Sequence, residues 1–300
     1  MSQNQLGRTA VVFTVVFWSI GNLIVRGTEL TGPQIAFWRY LFAAVLYAIG
    51  HAAFVGPLTW SDFRTAAPMG VVLAIEIVFF FIAIKQTTVA NVTVIGALTP
   101  LLLFGVAARR FKERVSVRVV GATLLALAGV VAVVFGSSTG ARWSPAGDAL
   151  AVGALIFFAA YFALGKVARE TLSGITLQTH SLIAGVPVLA VVLLVDSRGL
   201  PAPSGGQWWF VFGLIVFPST GHLLLNWAHA HVSLTLVSLM TLGVPVLSIL
   251  GAAVLFSESL VFIQGVGILV VLAVLCFAII ETSRLNRETR DATPKAARQT

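Results

Sequence analysis

Two stretches of this chain, VANVTVIGALTPLLLFGVAARRFKE (residues 89–113) and LTLVSLMTLGVPVLSILGAAVLFSE (residues 234–258), are two versions of one pattern. Each is an apolar run with an internal proline, Pro100 or Pro245, followed thirteen residues later by a glutamate, Glu113 or Glu258. Both pairs are displaced by the same 145 residues. Further upstream a displacement of 140 aligns Gly7 with Gly147, Trp18 with Phe158 and Arg26 with Lys166. A period of this size is a structural unit used twice. If each unit crosses a membrane an odd number of times, the copies lie upside down relative to each other. That is the plan of a protein that alternates access to a central site.

Composition supports a membrane setting. The 300 residues are 58% hydrophobic and 10% charged, with a mean hydropathy of +0.98. A soluble domain could not hide so much apolar surface. The net charge of +8 does not imply a nucleic-acid partner, because the basic residues are spread over short loops and the C-terminal tail. Cys276, the single cysteine, excludes an intrachain disulfide and a thiolate metal site, and reads as an apolar filler. The N-terminus is polar for eight residues and then apolar for roughly 18, without a small-residue cleavage site. It is expected to be a retained first span.

Ten apolar runs are long enough to cross a bilayer: 9–26, 34–54, 66–85, 89–108, 116–136, 147–166, 175–195, 208–227, 232–255 and 260–281. With the N-terminus inside, Arg8, Arg64, Arg109, Arg110, Lys112, Arg114, Lys166, Arg169 and the basic tail fall on the inner side. Only Arg26, Lys85, Arg142 and Arg198 fall outside, so both termini are expected in the cytoplasm. The expected fold is an all-α, multi-pass membrane protein of ten helices. Residues 1–140 form one five-helix repeat, 141–283 its inverted copy, and 284–300 a basic disordered tail.

Enzyme signatures are missing: there is no Walker loop, dinucleotide fingerprint, HExxH or carboxylate-rich metal motif. The expectation is therefore no enzyme, no cofactor and no metal. Polar residues inside the apolar runs carry the functional signal, because each is costly in lipid. Ser19, Asn22 and Arg26 share one face of the first span beside Trp18. Glu76 stands near the middle of the third, with no other charge within eight residues in sequence, before Phe79-Phe80-Phe81. It must be protonated, paired or facing water, and either serves a substrate amine or proton, or bonds a neighbouring helix such as the one bearing Arg39. Arg39, in Phe37-Trp38-Arg39-Tyr40, is expected to be a structural ion-pair residue. Asn91, Tyr161, His222, Asn226, Trp227 and Ser238 complete the candidate binding set with Trp18, Asn22, Glu76 and Phe79. Pro100 and Pro245 are candidate hinges. His180 reads as structural, and His229 and His231 as exposed residues of a tight turn.

Taken together, these residues resemble the drug/metabolite transporter superfamily, in its ten-helix form built from two EamA-type repeats. The resemblance rests on Phe17-Trp18, the Arg39 motif, the run from Thr88 to Pro100, the charged turn through Glu113, Gly121 to Gly129, Gly147-Asp148, and Pro245 with Glu258. The chain is also similar to bacterial aromatic amino-acid exporters of that superfamily. The resemblance implies a central cavity made by spans 1, 3, 4, 6, 8 and 9, with spans 5 and 10 at the periphery. It further implies secondary export of amino acids or similar small metabolites across the inner membrane by a monomer or homodimer. A proton-coupled multidrug exporter is the alternative, with a lipid scramblase or membrane enzyme further away.

Overall fold

The computed structural model describes residues 2–87, 89–136, 144–197, 199–257 and 259–296. Thr88, Arg142, Arg198, Glu258, the side chain of Lys85 and the last four residues of the expected tail lie outside what is described. The described residues form twelve helices and no strand: α1 (Gln3–Arg26), α2 (Gly32–Phe54), α3 (Trp60–Gln86), α4 (Val89–Gly96), α5 (Thr99–Arg110), α6 (Val117–Gly136), α7 (Pro145–Ala168), α8 (Gly174–Ser197), α9 (Gln207–Ala228), α10 (Leu234–Met240), α11 (Gly243–Leu255) and α12 (Phe262–Ala296). With α4–α5 and α10–α11 each counted as one crossing, ten spans are long and apolar enough to cross a membrane. An even number brings α12 back to the face carrying the start of α1, here named the terminal face. The opposite side is the far face.

Helix ends follow local chemistry. Ser2 with Gln5 and Thr31 with Gln34 form reciprocal capping boxes at α1 and α2, and Ser144 and Ser233 cap α7 and α10. These bonds satisfy amides that have no intrahelical partner. The outward surface is apolar, with Phe54, Val117, Trp209 and Phe262 among its most exposed side chains, as a lipid-facing surface requires.

The fourth and ninth crossings differ from continuous helices bent at proline. Each is broken just before its proline, at Ala97-Leu98 and Thr241-Leu242. Pro100 has no N–H to offer the Gly96 carbonyl, and the Thr99 hydroxyl donates to that carbonyl instead at 2.6 Å. In the later crossing Thr241 Oγ1 donates to Ser238 O at 2.7 Å. Both crossings also leave their second helix through a left-handed residue, Lys112 (φ 54) and Ser257 (φ 54), which are again 145 positions apart. A non-glycine residue in that region is uncommon, so its recurrence marks one backbone path used twice. The last helix, α12, runs on to Ala296, well beyond the end expected near 281.

The close crossings are related in the same way. A side chain at Gly7 would run into His231 and Val232, and one at Gly147 into Gln86 and Thr87. Thus α1 packs on the α9–α10 turn as α7 packs on the α3–α4 turn. Helices α6 and α12 cross through glycines, with a Gly267 side chain barred by the Gly129 carbonyl. That pair stays clear of the cavity described next.

Candidate substrate cavity

A central cavity of about 360 Å³ is walled by α1, α2, α3, α4, α5, α7, α9 and α11, together with the α10–α11 break. Its volume falls within the ordinary range for small-molecule sites. Equivalent residues of the two broken crossings face each other across it: Gly96, Ala97, Thr99 and Pro100 against Thr241, Leu242, Val244 and Pro245. Trp18 and Phe158, aligned in sequence, meet with ring centroids 6.0 Å apart. Most lining residues belong to the far half of their crossings, and the deepest, among them Phe158, His222 and Thr241, lie just past the middle. The terminal half is filled instead: Gly70 lies directly against the Ser181 backbone, and the Ser181 hydroxyl donates to Ala66 O at 3.3 Å.

Of the sequence candidates, Trp18, Asn22, Glu76, His222, Pro100 and Pro245 line the cavity, as does Arg39. Asn22 donates to Ser248 Oγ at 3.1 Å. The His222 ring lies 4.8 Å from that of Trp18, tilted at 52° to it. Tyr161 is fully buried behind the wall, sharing a 2.8 Å hydrogen bond with His222 Nδ1, so it positions a cavity residue without reaching the cavity.

The remaining candidates lie elsewhere. Phe79 points onto Gly153 and Phe157; its neighbours Phe80 and Phe81 line the cavity instead. Asn91 donates to Asp148 Oδ1 at 3.2 Å and to Thr87 Oγ1 at 3.0 Å, at the far-face junction of α4 with α7. Asn226 is wholly buried and donates to Gln178 Oε1 at 2.7 Å. Trp227 lies 4.3 Å from the His231 ring near the terminal face. The Ser238 hydroxyl is turned back onto Thr235 O at 3.0 Å. A further set went unselected: Phe158, Thr93, Gly96, Thr241 and Pro218 all line the wall. The repeat alignment carried the signal for Phe158, since it pairs that residue with Trp18.

Two expectations are corrected. Arg39 and Glu76, the two charged residues of the wall among those described, do not form an ion pair, although the Arg39 charge acts on Glu76 through space. The Arg39 guanidinium lies 5.2 Å from the Tyr40 ring centroid, and its Nε is buried without a hydrogen bond. His229 is not exposed: it is 2% accessible, and burial, then the charges of Lys166 and Arg169, push its imidazole down to about 3. His180 is also buried, its Nδ1 bonded to Thr176 O at 2.9 Å. Among the described residues no group of three or more metal-ligand side chains comes together.

The terminal half is locked by Glu113. Its carboxylate accepts from Leu234 N at 2.6 Å, Thr235 N at 2.9 Å and Thr235 Oγ1 at 2.8 Å, capping α10. Lys166 lies 3.5 Å from the same carboxylate and donates to Val232 O at 2.8 Å. A residue following α5 thereby ties together α7 and the start of α10.

The EamA-like transporter family model matches residues 5–135 and 145–280, and the chain belongs to that family. It is a multi-pass membrane transporter of the drug/metabolite transporter superfamily. No curated protein matches the sequence. Among solved structures 29 chains match. One, titled only as the crystal structure of a protein, covers 93% of this chain and 98% of its own with a TM-score of 0.77 at 19% identity, a likeness of fold.

Proposed function

We propose that this chain exports amino acids with aromatic or other apolar side chains, or similar small metabolites, across the bacterial inner membrane. The termini lie in the cytoplasm, and transport proceeds by alternating access as the two five-helix repeats rock against each other. One observation carries this reading: the cavity is walled by the same broken-helix segment of both halves, yet it lies mainly in the far half of the bundle and ends near its middle. Inverted copies can exchange conformations, moving the cavity to the other face. The breaks before Pro100 and Pro245 are where each crossing bends, since Ala97-Leu98 and Thr241-Leu242 have already left the helix. The chain holds the whole cavity, so a monomer suffices and a homodimer would work as two independent units.

The lining suits a small, partly apolar solute. Trp18, Phe158, Phe80 and Phe81 offer ring faces, Asn22 and Thr93 offer polar contacts, and one cation and one anion face the same space. Binding drives transport only if its contacts differ between the two states. The break residues supply that difference, because they move relative to Trp18 and Phe158. A second reading follows from Glu76, a cavity carboxylate without an ion pair: proton-coupled export of cationic drugs.

The deciding experiment uses purified protein in liposomes preloaded with labelled amino acids, with and without a pH gradient. Release that aromatic or branched amino acids compete for supports the exporter. Absence of release for every amino acid, with gradient-driven movement of organic cations that Glu76→Gln abolishes, replaces it with the second reading.

A further inference from the structure

We propose that Arg39 and Glu76 form a two-pole site for a zwitterion. The guanidinium takes the α-carboxylate, the Glu76 carboxylate takes the α-ammonium, and the Trp18–Phe158 pair receives the side chain of the same molecule. This rests on the amino-acid reading above and adds how the backbone of the substrate is recognised.

The argument begins with cost. A charge in the apolar middle of a membrane protein is retained when it is paired or when it meets a ligand. Among the described residues Arg39 on α2 and Glu76 on α3 are the charged residues of the cavity wall, with opposite sign, and they are not paired with each other. Had they closed into a salt bridge, the cavity would present no charge. Held apart on one wall, they present one pole of each sign and no net charge. A cation or an anion alone would satisfy one pole and leave the other exposed to a desolvated ligand; a zwitterion satisfies both.

The donor inventory points the same way. Two donors at the wall are buried and lack a hydrogen bond, Arg39 Nε and Trp18 Nε1. Arg39 and His222 also line a separate small void of about 10 Å³, where Ser219 Oγ is likewise unpartnered. Arginine presents its donors in a planar fork that matches a carboxylate. Glu76 accepts no hydrogen bond from the protein, leaving its oxygens to an ammonium. The rings of Trp18 and Phe158 tilt against each other at 48° on the same wall, and an apolar side chain of the ligand would pack there.

The test measures competition against labelled phenylalanine on the full-length protein in nanodiscs, using phenylalanine, phenethylamine (amine alone) and 3-phenylpropionate (acid alone). In the wild type phenylalanine should outcompete both analogues by roughly tenfold or more, as expected for one charged hydrogen-bond group. In Arg39→Gln its advantage over phenethylamine should vanish, and in Glu76→Gln its advantage over 3-phenylpropionate, with each remaining analogue within about twofold of wild type. Arg39→Lys, which keeps the charge, should retain part of the preference. The proposal falls if the variants weaken all three ligands alike, or if either analogue matches phenylalanine on the wild type, a result that needs no variant to fold. Liposome uptake of phenylalanine by the wild type separates the two failures. Uptake with an unchanged ligand ranking in the variants overturns the two-pole site alone, whereas no binding and no uptake overturns the amino-acid reading with it.

Discussion

Two junctions related by the repeat are held in different ways. At the terminal face the turn between α9 and α10 is gripped by charge: Glu113 caps α10, Lys166 lies against it, and Asn4 Nδ2 donates to His231 O at 3.0 Å. Arg169 Nε adds a bond to Asn226 O at 2.8 Å. At the far face, across the corresponding turn between α3 and α4, Asp148 accepts from Thr87 Oγ1 at 2.9 Å and from Asn91. One backbone plan therefore carries different side-chain chemistry at its two ends: a glutamate capping the next helix with a lysine against it on the packed side, and an aspartate accepting from neutral groups on the side that holds the cavity. The difference teaches that the state of the bundle is written in side chains at the junctions, since the helices themselves repeat.

The strongest way to break this comparison is to remove both carboxylates in turn. Glu113→Ala strips the cap of α10 and leaves Lys166, 15% exposed in its side chain, without its counter-charge. It should cost roughly 3–5 kcal/mol. Asp148→Ala loses bonds to neutral groups and should cost about 1–2 kcal/mol. Thermal midpoints of the purified variants in one detergent decide it, and an Asp148→Ala loss equal to that of Glu113→Ala would end the distinction. Next in size is packing. Gly70→Ala pushes against the Ser181 backbone and should cost roughly 1–3 kcal/mol. Gly96→Ala enters space with nothing within 4 Å and should stay within about 1 kcal/mol. Comparable melting of the two variants would mean that the terminal half is no tighter than the cavity half.

His229 gives the terminal junction a pH signature. Its imidazole is held near 3 in the folded chain, against about 6.5 when unfolded. Between those values the unfolded state takes the proton first, so stability is full above about 6.5 and declines as pH falls. The slope from this group is at most about 1.4 kcal/mol per pH unit. His229→Leu should flatten the fall in thermal midpoint between pH 7 and 5; an unchanged slope would refute the assignment. The smallest effect sharpens the wall itself. Phe79→Leu, facing Gly153 and Phe157, should change transport less than about twofold, while Trp18→Leu should cut binding roughly threefold to tenfold. Equal losses in both would place Phe79 at the cavity after all.

Much of this architecture was legible in the chain. Ten spans follow from run length and apolarity, and the repeat from Pro100, Glu113, Pro245 and Glu258. Glu76, Asn22 and Trp18 stood out because a polar or amphipathic group inside lipid needs a reason. Neighbours in sequence misled at Phe79: three consecutive rings look alike, yet a helix turns each by about 100°, so Phe80 and Phe81 meet the cavity and Phe79 meets α7. Asn226 and Ser238 were equally eligible by residue type, and only the packing partner, Gln178 or Thr235, distinguishes a satisfied structural group from one facing ligand.

Sequence by itself determined the solvent, the number of crossings, the repeat and the family, because these depend on composition and periodicity summed over many residues. Tertiary structure alone decided where the crossings break, which half is packed, that Arg39 and Glu76 stand apart, and that His229 is buried. Those are matters of a few ångströms between helices distant in sequence, and no local pattern encodes a distance that is fixed only when the helices meet.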